Sequence, residues 1–159
     1  MAPEYSRFYK ILDYKFKDQS LLLRALTHRS KTKKNYERLE FLGDSILGFV
    51  IAEELYHKFP DLAEGKLSQI RSKLVKGATL AKLALRFQID EYAILGASEQ
   101  GGQKREKILE DIFEAIIGAI YLDSDFARAE AVVATLYSPK LAQIDTTAQG
   151  KDPKTLLQE

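Results

Sequence analysis

The sequence predicts an all-α fold, and three observations carry that prediction. Apolar residues recur at helical spacing through most of the chain, and no stretch alternates apolar and polar residues as a half-buried strand does. Two long apolar runs, entered at Glu37 and Lys107, each carry carboxylates on one helical face. With 159 residues, 45% of them hydrophobic, the chain has enough apolar material for one good core.

Taken in order, Tyr5 to Leu12 forms a short helix, and Asp18 or Ser20 caps a second one running through Leu21 to Leu26. Lys31-Thr32-Lys33-Lys34-Asn35 is a basic loop leading into a long helix that Pro60 stops after Phe59. A further helical stretch spans about Leu62 to Phe87, with Gly65 and Gly77 as candidate interruptions. Leu95 to Gln103 has the composition of an exposed loop. The second acidic helix comes next, Asp123-Ser124-Asp125 breaks it, and a last helix covers about Phe126 to Leu141. Domain organisation is read as residues 1–144 for the helical domain and 145–159 for a linker and a short terminal segment.

Function is written in the two acidic helices. Glu37, Glu40 and Asp44 fall on one face of the first, at the head of Ser45 to Ala52, an apolar segment predicted to be buried all round. Asp111 and Glu114 share a face of the second, and Glu114 lies in an apolar run with no Lys or Arg between Lys107 and Arg128. Gly48 follows Asp44, and Gly118 follows Glu114, on these same faces, where small residues let helices pack closely. Carboxylates gathered in an apolar setting repel one another and lose hydration, so they require positive charge. Four of them from two helices, with no cysteine in the chain and no histidine at ligand spacing, make a hard oxygen site for Mg²⁺ or Mn²⁺.

The bulk numbers exclude other classes. The absence of cysteine removes disulfide and thiolate chemistry. The polar start and the lack of any uninterrupted apolar run of spanning length point to a cytoplasmic protein with no membrane partner. With 24 Lys and Arg against 23 Asp and Glu, net charge is +1 and gives no hint of nucleic acid, so local clustering matters more than the total. Glu54-Leu55-Tyr56-His57 has the Glu-x-x-His spacing of di-iron bundles, but such a site needs the motif twice. His57 instead fits a helix C-terminus.

The run Glu37-Arg38-Leu39-Glu40-Phe41-Leu42-Gly43-Asp44-Ser45 resembles the signature of the ribonuclease III endonuclease domain. Leu26 to Ser30 resembles the family's upstream segment, Glu64 to Ser68 its middle acidic motif, and Lys104 to Ser124 its second metal-binding helix. The resemblance implies the ribonuclease III endonuclease fold, Mg²⁺-dependent hydrolysis of double-stranded RNA to 5′-phosphate and 3′-hydroxyl ends, and a homodimer. Mn²⁺ is the implied substitute, and rRNA and mRNA processing are the implied roles. Carried over by position, Glu40, Asp44, Asp111 and Glu114 hold the metal, Asp44 and Glu114 are catalytic, and Glu37 and Glu64 support them. Phe41 is the implied dimer contact. Arg29, Lys31, Lys33 and Lys34 before the first acidic helix, and Lys104, Arg105 and Lys107 before the second, are candidate RNA contacts, with Lys66, Arg71, Lys73 and Lys76 as additional basic surface. Asp152 to Glu159 resembles the opening of a double-stranded RNA-binding domain and is too short to complete one. The competing reading is a catalytically silent RNA-binding or ribosome-associated protein on the same fold, which would be expected to lose metal ligands. A helical metal-binding protein unrelated to RNA would leave the basic clusters unexplained.

Overall fold

A computed structural model describes residues 4–96 and 102–147, the side chains of 102–104 and 145–147 excepted. Its elements are α1 (Ser6–Leu12), α2 (Gln19–Leu26), α3 (Glu37–Lys58), α4 (Glu64–Leu74), α5 (Gly77–Arg86), a single 3₁₀ turn (Ile89–Tyr92), α6 (Gly102–Asp123) and α7 (Phe126–Thr147). Asp18 caps α2, its carboxylate accepting from Ser20 N at 2.9 Å. Asn35 does the same for α3, its side-chain oxygen accepting from Glu37 N at 3.0 Å while its amide nitrogen donates to the Thr32 and Lys33 carbonyls. The basic loop is thereby folded back onto the start of the acidic helix.

The architecture is built around α6. Every residue from Asp111 to Ile120 is buried, with α2, α3, α5 and α7 packed about it and α3 as its principal partner. Each fully buried Ile or Phe of this helix contributes roughly 1.5–3 kcal/mol by leaving water. The crossing of α3 and α6 is unusually close. A Cβ on Gly43 would lie 1.7 Å from the carbonyl oxygen of Glu114, and one on Gly118 would lie 2.4 Å from that of Leu39. Two glycines therefore let two backbones touch, and the carboxylates flanking them are drawn together.

Three expectations need correction. Gly48 takes no part in this crossing, since a Cβ there would meet nothing within 4 Å; Gly43 has that role. The α3 segment after Ser45 is not buried all round: Ile46, Leu47, Val50 and Ile51 are in the core, but Phe49 is 59% exposed, because one side of α3 is uncovered in the single chain. Gly65 sits in the first turn of α4 and interrupts nothing, whereas Gly77 does open a new helix after a break at Val75 and Lys76.

The last helix continues past Pro139 and Leu141 to Thr147, across the expected boundary at residue 145. Residues 148–159, including the segment Asp152 to Glu159 expected to open an RNA-binding domain, lie outside the described residues, as does most of the expected loop after Leu95. Two features were not anticipated: the 3₁₀ turn, and a parallel bridge between Thr27 and Ile94 that joins the end of α2 to the strand-like segment leaving that turn. At the far end, Asp123 accepts from Lys17 N at 2.8 Å and Asp18 N at 2.9 Å, fastening the α1–α2 connection to α6.

Candidate metal centre

Where α3 and α6 cross, one oxygen from each of Glu40, Asp111 and Glu114 lies within 4.8 Å of the others. Asp111 and Glu114 are 8% and 5% exposed, and Glu40 is half-buried. Asp44, one turn beyond Glu40 on α3, is exposed and hydrogen-bonds the Glu114 carboxyl, but the fourth predicted ligand is not within the group of three. Opposite ligands on an octahedral Mg²⁺ are about 4.2 Å apart, so small side-chain rotations close this group onto such an ion.

The electrostatics show how costly the cluster is without one. Burial, a hydrogen bond with Asp44 and the neighbouring charges push the Glu114 carboxyl up to about 9. Burial and the contact with Asp111 push Glu40 up to about 7. At neutral pH Glu114 therefore keeps its proton and Glu40 is about half-protonated, because nothing nearby fully balances their charge. Partial compensation comes from Lys107, whose Nζ lies 3.0 Å from Asp111 Oδ1 and 3.3 Å from Glu110 Oε1. Even so, Asp111 Oδ1 is buried and has no hydrogen-bond donor aligned on it. Three carboxylates within 4.8 Å of one another, balanced by the single lysine Lys107, fit a divalent cation, which would replace the protons that burial and mutual repulsion favour on Glu40 and Glu114.

The other predicted residues are distributed around this point. Glu37 is exposed at the rim, 3.9 Å from Arg29, and both line the same cleft as His28, Tyr36, Glu40, Lys107, Ile108 and Asp111. Glu64 is exposed at the first position of α4 and is not among the residues lining that cleft. Lys31, Lys33 and Lys34 are exposed on the loop before α3. Lys107 does not stand free but turns inward to the carboxylates, Arg105 lines a shallow apolar groove with Ala81, Leu85 and Leu109, and the Lys104 side chain is outside the described residues. Phe41 is 77% exposed and borders a groove of about 640 Å³ lined by Leu21, Leu39, Leu42 and Leu122, with Arg24, Glu37 and Arg38 also on its wall.

Sequence reasoning missed Tyr36. It is 4% exposed, and its hydroxyl donates to Asp111 Oδ2 at 3.3 Å. Its phenol is held in the neutral, donating form by burial and by the Asp111 charge. The signal was present: Tyr36, Glu40 and Asp44 recur at four-residue spacing, which puts the phenol on the carboxylate face one turn before the first ligand.

Comparison with known proteins agrees with the geometry. The family model for Ribonuclease-III-like domains matches residues 18–141. "Ribonuclease 3" of Francisella philomiragia is 73% identical over the whole chain, which spans 70% of that protein, and "Ribonuclease 3" of Francisella tularensis subsp. tularensis is 71% identical over the same span. Among solved structures, the nuclease domain of ribonuclease III from Campylobacter jejuni matches with a TM-score of 0.82 and 41% identity, covering 86% of this chain and 97% of that one. Dicer from Pichia stipitis matches with a TM-score of 0.70 and 32% identity, covering 87% of this chain and 63% of that one. The α3–α6 carboxylate crossing thus sits in a chain that belongs to the ribonuclease III family.

Proposed function

We propose that this chain is an endoribonuclease that hydrolyses phosphodiester bonds in double-stranded RNA at the α3–α6 crossing, with Mg²⁺ as its working ion. The observation that carries this reading is the convergence of Glu40, Asp111 and Glu114 from two helices in a largely buried cluster with only Lys107 to balance it. Glu40, Asp44, Asp111 and Glu114 would hold the ion, Asp44 being the solvent-exposed member of the set. When bound, the divalent cation supplies acidified water and charge neutralisation at the phosphate.

The chain's own residues do the rest. Asp111 and Glu114 are fixed by the close helix crossing, so the ligands are arranged before substrate arrives. Glu37 keeps Arg29 at the rim, where its guanidinium meets a phosphate entering the cleft. Lys31, Lys33 and Lys34 extend that positive edge along the exposed loop. Contacts of this kind read the backbone rather than the bases, as suits a duplex recognised by shape.

Two copies pair through the open side of α3. Phe41 of each seats in the apolar groove beside Leu42 and Leu122 of the other, which gives one active site per strand of the duplex. The Campylobacter jejuni structure, described by its flexibility in a region involved in dimer formation, supports this reading. Among the described residues no helix is long and apolar enough to cross a membrane, and a cytoplasmic location is part of the same proposal. A silent RNA-binding role is disfavoured because all four ligand carboxylates are retained.

The test is cleavage of a long RNA duplex at low salt with Mg²⁺, beside single-stranded RNA, duplex DNA, an EDTA control and the Glu114→Gln variant. Metal-dependent cutting of duplex RNA alone, lost in the variant while RNA binding persists, is the expected result. A folded protein that binds the duplex and leaves it intact under every metal condition would overturn it.

A further inference from the structure

We infer that Tyr36 is a positioning residue that presents Asp111 to the metal, and that its ring is packed against His28, which a hydrogen-bonded chain through Ser30 ties to the backbone of Gly96. The inference rests on the reading of the carboxylate cluster as a metal site.

Asp111 is the ligand most in need of orientation. It lies on α6 in an apolar setting, and of its two oxygens only Oδ2 has an aligned donor, the Tyr36 hydroxyl at 3.3 Å. A carboxylate with one oxygen tied to a neutral donor has its other oxygen turned to a fixed direction. Here that other oxygen is the buried Oδ1, which in the metal-free protein is ion-paired with Lys107 Nζ at 3.0 Å. Partners that hold a ligand in this way govern its affinity for the ion without touching it.

Tyr36 in turn cannot move freely. Its backbone N–H donates to the Thr27 carbonyl at 2.9 Å, and its ring meets the edge of the His28 ring at a centroid distance of 5.7 Å. His28 is 8% exposed and is fixed through Nδ1, which accepts from Ser30 N at 3.1 Å and lies 2.7 Å from Ser30 Oγ. That hydroxyl accepts from Gly96 N at 2.8 Å, so its own proton is directed to Nδ1. His28 N also donates to Ile94 O at 2.9 Å, beside the Thr27–Ile94 bridge. Gly96 is required at its place: a Cβ there would come within 2.6 Å of the Ser30 carbonyl oxygen. The histidine of this network is therefore a structural wedge, and the metal centre is braced by a segment distant from it in sequence.

The experiment is direct titration of RNA-free protein with Mn²⁺, followed by the paramagnetic signal of the free ion, for wild type, Tyr36→Phe and Ser30→Ala. Tyr36→Phe removes only the hydroxyl and should weaken Mn²⁺ binding by about 10-fold. The half-saturating Mg²⁺ concentration for cleavage should rise in parallel, with kcat at saturating metal nearly restored. Ser30→Ala should shift both in the same direction by less. Each variant should melt cooperatively, within a few degrees of wild type. Unchanged metal affinity in Tyr36→Phe would overturn the inference, and so would a loss of kcat that saturating metal does not recover. If Tyr36→Phe fails to fold, unchanged affinity in Ser30→Ala overturns it. Failure of wild-type protein to bind Mn²⁺ would instead refute the metal site itself.

Discussion

Helix α3 carries two acidic clusters, and they behave differently. Near its start, Glu40 and Asp44 meet Asp111 and Glu114 of α6 at the crossing. Near its end, Glu53 and Glu54 face Glu130 of α7. Both bring three or more carboxylates together. At the crossing, burial raises Glu114 to about 9; at the other end Glu130 is raised chiefly by its hydrogen bond to Glu53, and solvent dissipates most of the repulsion. Number of charges does not distinguish the two. What does is the glycine-to-glycine approach of α3 and α6, which places one cluster in the core and denies it water.

The comparison can be broken most forcefully at Gly43. Gly43→Ala drives a methyl group into the Glu114 carbonyl, forcing α3 and α6 apart at a cost of about 3 kcal/mol or more. Urea denaturation should show that loss together with abolished metal binding. Retained stability would mean that the helices are not in backbone contact.

A smaller effect concerns pH. Between 4.5 and about 9 the native chain keeps a proton on Glu114 that the unfolded chain has released. The stability this group confers on metal-free protein is therefore complete below pH 4.5 and is lost as pH rises toward about 9. Measured against the non-titrating Glu114→Gln variant, wild-type unfolding free energy should decline through this window by up to about 1.4 kcal/mol per pH unit. A constant difference would show that Glu114 is ionised throughout. Mn²⁺ affinity should rise with pH over the same range, because binding must displace that proton.

The smallest changes are expected away from the crossing. Gly48→Ala has open space around it and should stabilise α3 by about 0.5–1 kcal/mol in thermal unfolding, where a loss would mean that a second chain packs against that position. Glu130→Gln should leave stability within about 0.5 kcal/mol and cleavage unchanged, since it relieves only a solvated pair.

Much of this was legible in the sequence because it is local. Helical spacing placed Glu40 with Asp44 and Asp111 with Glu114, Pro60 and Gly77 marked helix ends, and an isolated Glu114 in an apolar run announced a partner. What stayed hidden depends on which side of a helix meets its neighbour. Spacing put Gly48 on the carboxylate face, but the crossing passes through Gly43, about 140° from Gly48 around α3, leaving the carboxylates beside the contact instead of on it. The exposure of Phe49 has the same origin, since an apolar residue looks alike whether its cover comes from this chain or another. The brace from Gly96 to Tyr36 joins positions far apart in sequence, and no local pattern encodes it.

The most direct measurement is the number of Mn²⁺ ions bound per chain in wild type, in Glu114→Gln and in a Glu53→Gln, Glu130→Gln double variant, all free of RNA. Binding that is lost with Glu114 and indifferent to Glu53 and Glu130 is the predicted result. Binding that survives without Glu114 and falls in the double variant would place the metal at the α3–α7 cluster and contradict the account.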